Sequence, residues 1–309
     1  MKIFVTGATG VIGRRAIPLM LTRGHEVTAV ARSPEKRSAL QGLGVKAVDV
    51  DLFDAEVLPR VVKGHDVIVN LATSIPPSSK ALVPWWWRMN SRIRRVVSNN
   101  LRIAARYTEV ERFIQESFAP IYADGAGQWL TETSRIDPAR YNRAVVDAES
   151  AVARFATTGG VGVALRFANF YGPDSDFTAD MVKMVEKGWA PAFGSPDGYV
   201  SSISHDDAAL AVVNALAGPG GTYNVSDDEP VTKREFVAAL ADALERPTPR
   251  FLPSWVRFVA GSVAQALGRS QRISNARLRS TGWAPKQRSV REGFPIVIRE
   301  MRERGYLRR

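Results

Sequence analysis

The sequence contains no cysteine and only three histidines among 309 residues. The first absence excludes disulfides and thiolate metal sites, and the second, with no acids clustered around the histidines, argues against any metal centre. Long apolar runs are missing too. The nearest, "FVAGSVAQAL" at 258–267, falls well short of the roughly 18 to 20 residues a membrane span needs and reads as a packed helix. The first strand pattern begins at Lys2, which leaves no space for a secretory leader and makes the cytoplasm the expected compartment. Acids are scarce near the C terminus. Residues 269–309 hold twelve Arg or Lys against three acids, so nine of the +11 formal charges lie there. No nucleic-acid recognition motif accompanies them, so nucleic acid is not an expected partner. The expectation is a solvated basic face, with anion binding, as for a phosphorylated substrate, as the alternative.

What is present is an ordinary globular balance, 45% apolar and 24% charged, enough for one large α/β unit or two modest domains. Short β-branched runs, "KIFVTG", "HEVTAVAR", "VKAVDV", "DVIVNLA", "RFIQES" and "VGVALRFAN", alternate with segments of helical periodicity. Runs of this kind are strands buried on both faces, and their alternation with helices implies βαβ units. The predicted fold class is therefore α/β, a Rossmann-type doubly wound parallel sheet. After Tyr171 glycine and proline become frequent and helices predominate, as in "TKREFVAALADALER". That pattern predicts a smaller, mostly helical C-terminal lobe for the substrate at 169–309. Residues 1–168 form the dinucleotide-binding domain, to which 204–226 returns.

"FVTGATGVIG" places Gly7, Gly10 and Gly13 between the first strand and the first helix, with Thr9, Val11 and Ile12 among them. Glycine permits the tight turn and lets backbone approach a diphosphate, whose charge then faces the amides at the helix start. At the end of the second strand stands Arg32, with no acid until Glu35. A cation there suits the 2′-phosphate of NADP better than the bare ribose of NAD. NADP is the expected cofactor, with NAD as the alternative.

With these motifs the chain resembles, nearly end to end, the extended short-chain dehydrogenase/reductase family of the nucleotide-sugar epimerase and dehydratase type. "DVDLFD" is similar to the family segment whose Asp51 and Leu52 would flank adenine, and "VNLAT" to its fourth strand, with Leu71, Ala72 and Thr73 beside the cofactor. "LRFANFYGPD", "ISHDDAALAVVNAL", "TYNVSDDEPVT" and "GWAPKQRSVREG" resemble later family segments in order and spacing. The family reaction uses a Ser or Thr, a Tyr, and a Lys four residues after the Tyr. The tyrosine exchanges a proton with the substrate oxygen, while the lysine lowers the phenol pKa and holds the nicotinamide ribose. Here "RYNRAVVDAE" supplies Tyr141, in the family's catalytic and cofactor-contacting position, but Val145 stands where the lysine belongs. "ESFAPIY" puts Phe118 at the Ser or Thr, with Ser117 one residue early. Arg143, two residues along the same helix, faces roughly the opposite way, and Arg140 is better placed only if the helix begins after it.

Other side chains enter as candidates beside their bland readings. Glu116 is a candidate base or a capping carboxylate; Tyr122 is a second phenol or a structural one; His205 titrates or supports a helix start that Asp206 and Asp207 cap. The run Trp85, Trp86 and Trp87 forms an apolar substrate wall, with Trp86 as the candidate contact, or packs in the core, a dimer or a membrane surface. Asn90 organises backbone, and Asn169 is a candidate substrate contact. The resemblance also implies a homodimer through helices at 85–107 and 139–157. Function reads as an oxidoreductase or epimerase/dehydratase-like enzyme acting on a small alcohol, ketone or sugar-derived substrate. A dinucleotide-binding sensor or scaffold, and a non-redox isomerase, lyase or cyclase, stay open as alternatives.

Overall fold

In the computed structural model, which describes residues 1–251 and 261–307, the six apolar runs become neighbouring strands of one parallel sheet. They are β1 (Lys2–Thr6), β2 (Glu26–Val30), β3 (Lys46–Val48), β4 (Val67–Asn70), β5 (Arg112–Phe118) and β6 (Val161–Phe167). A seventh strand, β7 (Gly221–Val225), forms the edge beside β6 and pairs Tyr223 with Leu165. The order across the sheet is β7-β6-β5-β4-β1-β2-β3. Winding reverses between β1 and β4, where Val5 lies opposite Val69, and the carboxyl ends of those two strands open the crevice in which such sheets bind ligands.

Nine helices are used below: α1 (Gly13–Thr22), α2 (Pro34–Gly42), α3 (Ser98–Arg106), α4 (Ala144–Ala156), α5 (Asp176–Glu186), α6 (His205–Asn214), α7 (Lys233–Ala243), α8 (Gly261–Leu267) and α9 (Val290–Glu303). Strand residues alternate between the two faces, as a period of two requires. Ile3, Val5 and Ile114 join Ile17 and Met20 of α1 and Val212 of α6. Phe4, Ile68 and Phe113 join Leu101 of α3 and Val152 and Phe155 of α4. Burial of each large apolar side chain is worth about 1.5–3 kcal/mol, so both faces are firmly covered. A separate cluster in the C-terminal region packs Val182 of α5, Phe236 and Leu240 of α7 and Phe294 of α9 around Tyr171. The Phe294 ring meets Tyr171 and Phe236 edge-on at 5.3 and 5.1 Å. Of the run at 258–267, residues 261–267 form α8, and 258–260 lie outside the described residues.

One expectation is corrected. Asp206 and Asp207 do not cap α6: Ser204 does, its hydroxyl accepting from the Asp207 amide. Asp207 is buried and reaches across to accept from the backbone amides of Lys286 and Gln287 at 2.8 and 3.2 Å, fastening the C-terminal segment to α6. The C-terminal arginines also form ion pairs across the surface. Arg279 pairs with Asp228, Arg288 with Glu229, Arg291 with Glu235 and Arg302 with Glu245, all acids from earlier in the chain.

A tighter knot ties the first helix to the Gly-Pro-rich segment after Tyr171. Asp174 receives Arg14 at 2.8 Å, Arg15 at 3.0 Å and His205 Nδ1 at 3.2 Å, while Arg15 also holds Asp206 at 2.5 Å. Burial by itself would raise the Asp174 carboxyl, but hydrogen bonds from His205 and Arg15 and the nearby cations hold it well below the usual carboxylate range. Burial pushes the His205 imidazole down against the pull of Asp174. Because the folded-state carboxyl is more acidic than the unfolded one, its stabilisation is complete above about pH 4 and is lost as acid is added. Asp174→Asn is therefore expected to lower stability at pH 7 and to flatten the acid limb of a urea-denaturation series between roughly pH 4 and pH 2.

Candidate functional site

The glycine bend follows β1 directly. Gly7 has φ +70°, and a Cβ there would lie 2.3 Å from the Leu71 carbonyl oxygen at the end of β4. Gly13 is equally constrained, since its Cβ would lie 2.4 Å from the Gly7 oxygen. Gly10 is exposed and meets only that same oxygen, at 3.2 Å, so its missing side chain leaves room outside the chain. No side chain caps α1, and the amides of Val11 and Ile12 find no acceptor among the described residues. An exposed Thr9 and Gly10 beside uncapped amides fit an anionic diphosphate, which brings acceptors and needs close backbone approach.

The neighbouring strand end is fixed by a buried amide. Asn70 accepts from the Thr6 hydroxyl at 2.5 Å and donates to Gln115 at 2.8 Å and Ser98 at 3.3 Å, while its Oδ1 also accepts from the Ala72 amide. This ties β1, β4, β5 and α3 together and sets Leu71, Ala72 and Thr73 beside the glycine bend. Across the crevice Arg32 is exposed just beyond β2 and makes no ion pair among the described residues. Arg37 is engaged instead, bonding to Asp49 at 2.6 Å and to the Arg32 carbonyl. Asp51 is exposed and folds its own turn by accepting from Phe53 N; the half-buried Leu52 lends its carbonyl to Asn100.

Tyr141 lies before α4, not within it. Asn142 N bonds to Ala139 O and Val145 N to Asn142 O, a tight turn that becomes α4 at Ala144. The expectation that Tyr141 and Arg143 share a regular helix is corrected accordingly. Arg140 and Arg143 are both exposed, and Val145 is fully buried. The Tyr141 ring packs on Trp87 at 4.8 Å between centroids and against Val263 and Ala266 of α8. Its hydroxyl is buried with no hydrogen-bond partner, as are both side-chain polar atoms of Asn142. Burial pushes the phenol up to about 12, against the opposing pull of the Arg269 and Arg94 cations and of the neighbouring Asn142 side chain.

Several candidates are already committed. Glu116 is not free to act as a base: it is buried and accepts from Arg94 Nη2 at 2.7 and 3.0 Å. Desolvation raises its carboxyl despite the arginine. Ser117 donates to Glu149 of α4 at 2.5 Å, and Glu149 in turn takes two bonds of 2.7 Å from Arg166. Tyr122 is structural, bonded to Asn224 and Arg166. Phe118 ends β5 half-buried. Asn90 accepts from the Ser74 amide, organising backbone. Asn169 donates to the Ser201 carbonyl. Of the three tryptophans only Trp87 packs inward; Trp85 and Trp86 are exposed under Arg88 and Lys80 respectively. Sequence pattern did not announce Arg94. Its one signal is spacing, since Trp87, Asn90 and Arg94 recur at three and four residues along the inward side of one helical run.

A family model described as NAD(P)H-binding matches residues 7–163. A 3-diazoavenalumate denitrifying reductase from a Streptomyces species is 28% identical over 315 residues, covering 95% of this chain and 99% of that protein. A 4-hydroxy-2-methyl-3-oxo-4-farnesyl-3,4-dihydroquinoline-1-oxide ketoreductase of Stigmatella aurantiaca is 28% identical over 251 residues, covering 78% of this chain and 73% of that one. Among solved structures, the UDP-glucose 4-epimerase of Thermus thermophilus in complex with NAD matches with a TM-score of 0.79 and 26% identity, over 98% of this chain and 99% of the other. A human epimerase family protein with NADPH shares the fold, at TM-score 0.80 and 22% identity over 97% and 99% of the two chains.

Two substitutions probe the two ends of the crevice separately. Arg32→Ala is expected to weaken NADPH binding about 10- to 100-fold while leaving NADH unchanged, the value of one charge-assisted contact to the 2′-phosphate. Gly10→Ala is expected to weaken both nucleotides at least about tenfold with little loss of stability. Calorimetric titration with each nucleotide reads both outcomes.

Proposed function

Since the chain belongs to the NAD(P)H-binding family, within the extended short-chain dehydrogenase/reductase and epimerase/dehydratase superfamily, with NAD(P) as its cofactor, we propose that it is an NADP-preferring reductase of an apolar carbonyl-type acceptor. Residues 1–168 and 204–226 make the cofactor unit in this reading, and the rest of 169–309 makes the acceptor lobe. The observation that carries it is the Tyr141 hydroxyl, buried, unpartnered, and without a lysine four residues on.

The direction of reaction follows from the phenol's charge state. Oxidising an alcohol needs a base to take the hydroxyl proton, and a phenol pushed up to about 12 is almost entirely protonated near neutrality. Reduction needs the opposite, a donor that still holds its proton. A reduced nicotinamide, when bound, supplies the hydride to the acceptor carbon. Tyr141 gives its proton to the acceptor oxygen as the carbonyl π pair moves onto that oxygen, and solvent later restores the phenol. The glycine bend and the uncapped amides of Val11 and Ile12 would hold the diphosphate, and Arg32 would supply the cation for a 2′-phosphate. Trp87, Val263 and Ala266 surround the phenol with apolar surface, which excludes water and suits an apolar acceptor. The reductase and ketoreductase names of two relatives over most of this chain support that class.

A second reading, cofactor binding without turnover, is favoured by Phe118 and Val145 at the two other family positions. One set of assays separates the two. With NADPH and a panel of aryl and alkyl ketones, loss of absorbance of the reduced nicotinamide is expected. Tyr141→Phe is expected to lower kcat on the order of 100- to 10,000-fold with nucleotide affinity intact. Because the donor is the protonated phenol, the reductive rate is expected to show no alkaline fall through about pH 10. Nucleotide binding without consumption across the whole panel favours the binder.

A further inference from the structure

Between residues 67 and 108 the chain carries seven Lys or Arg and no acid. Among the described residues only Arg94 and Arg95 of the seven pair with carboxylates, those of Glu116 and Asp147. In the middle of this stretch the turn Ser78–Ala81, the 3-10 turn Pro84–Trp87 and the short helix Arg88–Arg92 pack on one another as a small knob. Trp87 pins it, since its ring rests on Tyr141 and its Nε1 donates to the Ala81 carbonyl at 2.7 Å. With Trp87 turned inward, Leu82, Val83, Pro84, Trp85 and Trp86 are all exposed, the last two at 68% and 46%, and Met89 joins them. The Lys80 ammonium lies 3.8 Å from the Trp86 ring centre, and the Arg88 guanidinium 3.9 Å from that of Trp85. An apolar patch of this kind, rimmed by cations, marks a contact surface.

We propose that this knob docks the protein on an anionic phospholipid surface. Leu82, Val83, Trp85 and Trp86 enter the headgroup boundary, where an indole keeps its apolar body among the chains and its N–H near water. Lys80 and Arg88 meet the anionic headgroups above them. Charge selects this occupant over a second copy of the chain. A twofold contact lays the patch on itself and sets the Lys80 and Arg88 cations of both copies against like charges, with no acid in the stretch to answer them. An anionic lipid surface supplies the missing sign. The contact is peripheral, because no helix among the described residues is long and apolar enough to cross a membrane. Docking brings the turn that carries Trp87, with Tyr141 against its ring, close to the phase in which apolar molecules dissolve.

The test requires neither cofactor nor turnover, so it stands or falls apart from the reductase reading. The full chain is floated with lipid vesicles. Binding is expected to vesicles of phosphatidylcholine and phosphatidylserine at roughly 7:3, to be at least about tenfold weaker with phosphatidylcholine alone, and to weaken as salt is raised. Trp85→Ser/Trp86→Ser is expected to weaken binding to the mixed vesicles at least about tenfold, and Lys80→Glu/Arg88→Glu to do the same. All four side chains are exposed, so the thermal midpoint is expected to hold in both variants. Absence of flotation by the unaltered chain overturns the proposal. So does flotation that survives the tryptophan substitutions, which assigns the attraction to the basic C-terminal region instead. Sedimentation velocity without lipid tests the other occupant: a dimer that Trp85→Ser/Trp86→Ser separates into monomers gives the patch to a second copy and also overturns the proposal. If the tryptophan variant does not fold, the charge variant decides alone, and undiminished flotation overturns it.

Discussion

The Gly7 bend presses against the Leu71 carbonyl so closely that no side chain fits between them. This contact joins the end of β1 to the end of β4 at the point where the sheet's winding reverses, beside the crevice in which sheets of this kind bind ligands. The Asn70 amide holds the same junction from below through Thr6, Gln115 and Ser98. Backbone approach and a saturated polar hub together give the glycine bend a rigid floor. The uncapped start of α1 leaves amides of the kind that suit an anion.

Elsewhere the design is different. Two buried arginines are secured to carboxylates, Arg94 to Glu116 and Arg166 to Glu149, both in places with little water. Such pairs contribute little net stability, because desolvation offsets attraction, but they fix where the guanidinium sits. Arg166 serves the scaffold by holding Tyr122 and the Ser117 partner in place. The surroundings of Tyr141 are left with unsatisfied polar atoms, in contrast to the satisfied hub at Asn70.

Most of the sheet was legible because strands buried on both faces have a distinctive composition, and each of the six runs, from "KIFVTG" to "VGVALRFAN", became a strand. The glycine bend was legible for a related reason: its spacing expresses a steric need, and Gly7 and Gly13 show that need in contact distances. Partner choice was much less legible. Nothing local says that Asp207 reaches residues 286 and 287, or that Glu116 meets Arg94, since those pairs depend on how distant segments fold together. The start of α4 was also misjudged, because helical composition around Tyr141 does not reveal that the chain enters the helix through a tight turn.

Asp174 links the two functional ends of the molecule more directly than the sheet does. Arg14 and Arg15 belong to the first turn of α1, which follows the glycine bend, while Asp174 and His205 belong to the segments leading into the C-terminal region. A substitution at Asp174 therefore acts at once on the start of α1 and on the segments entering the C-terminal region.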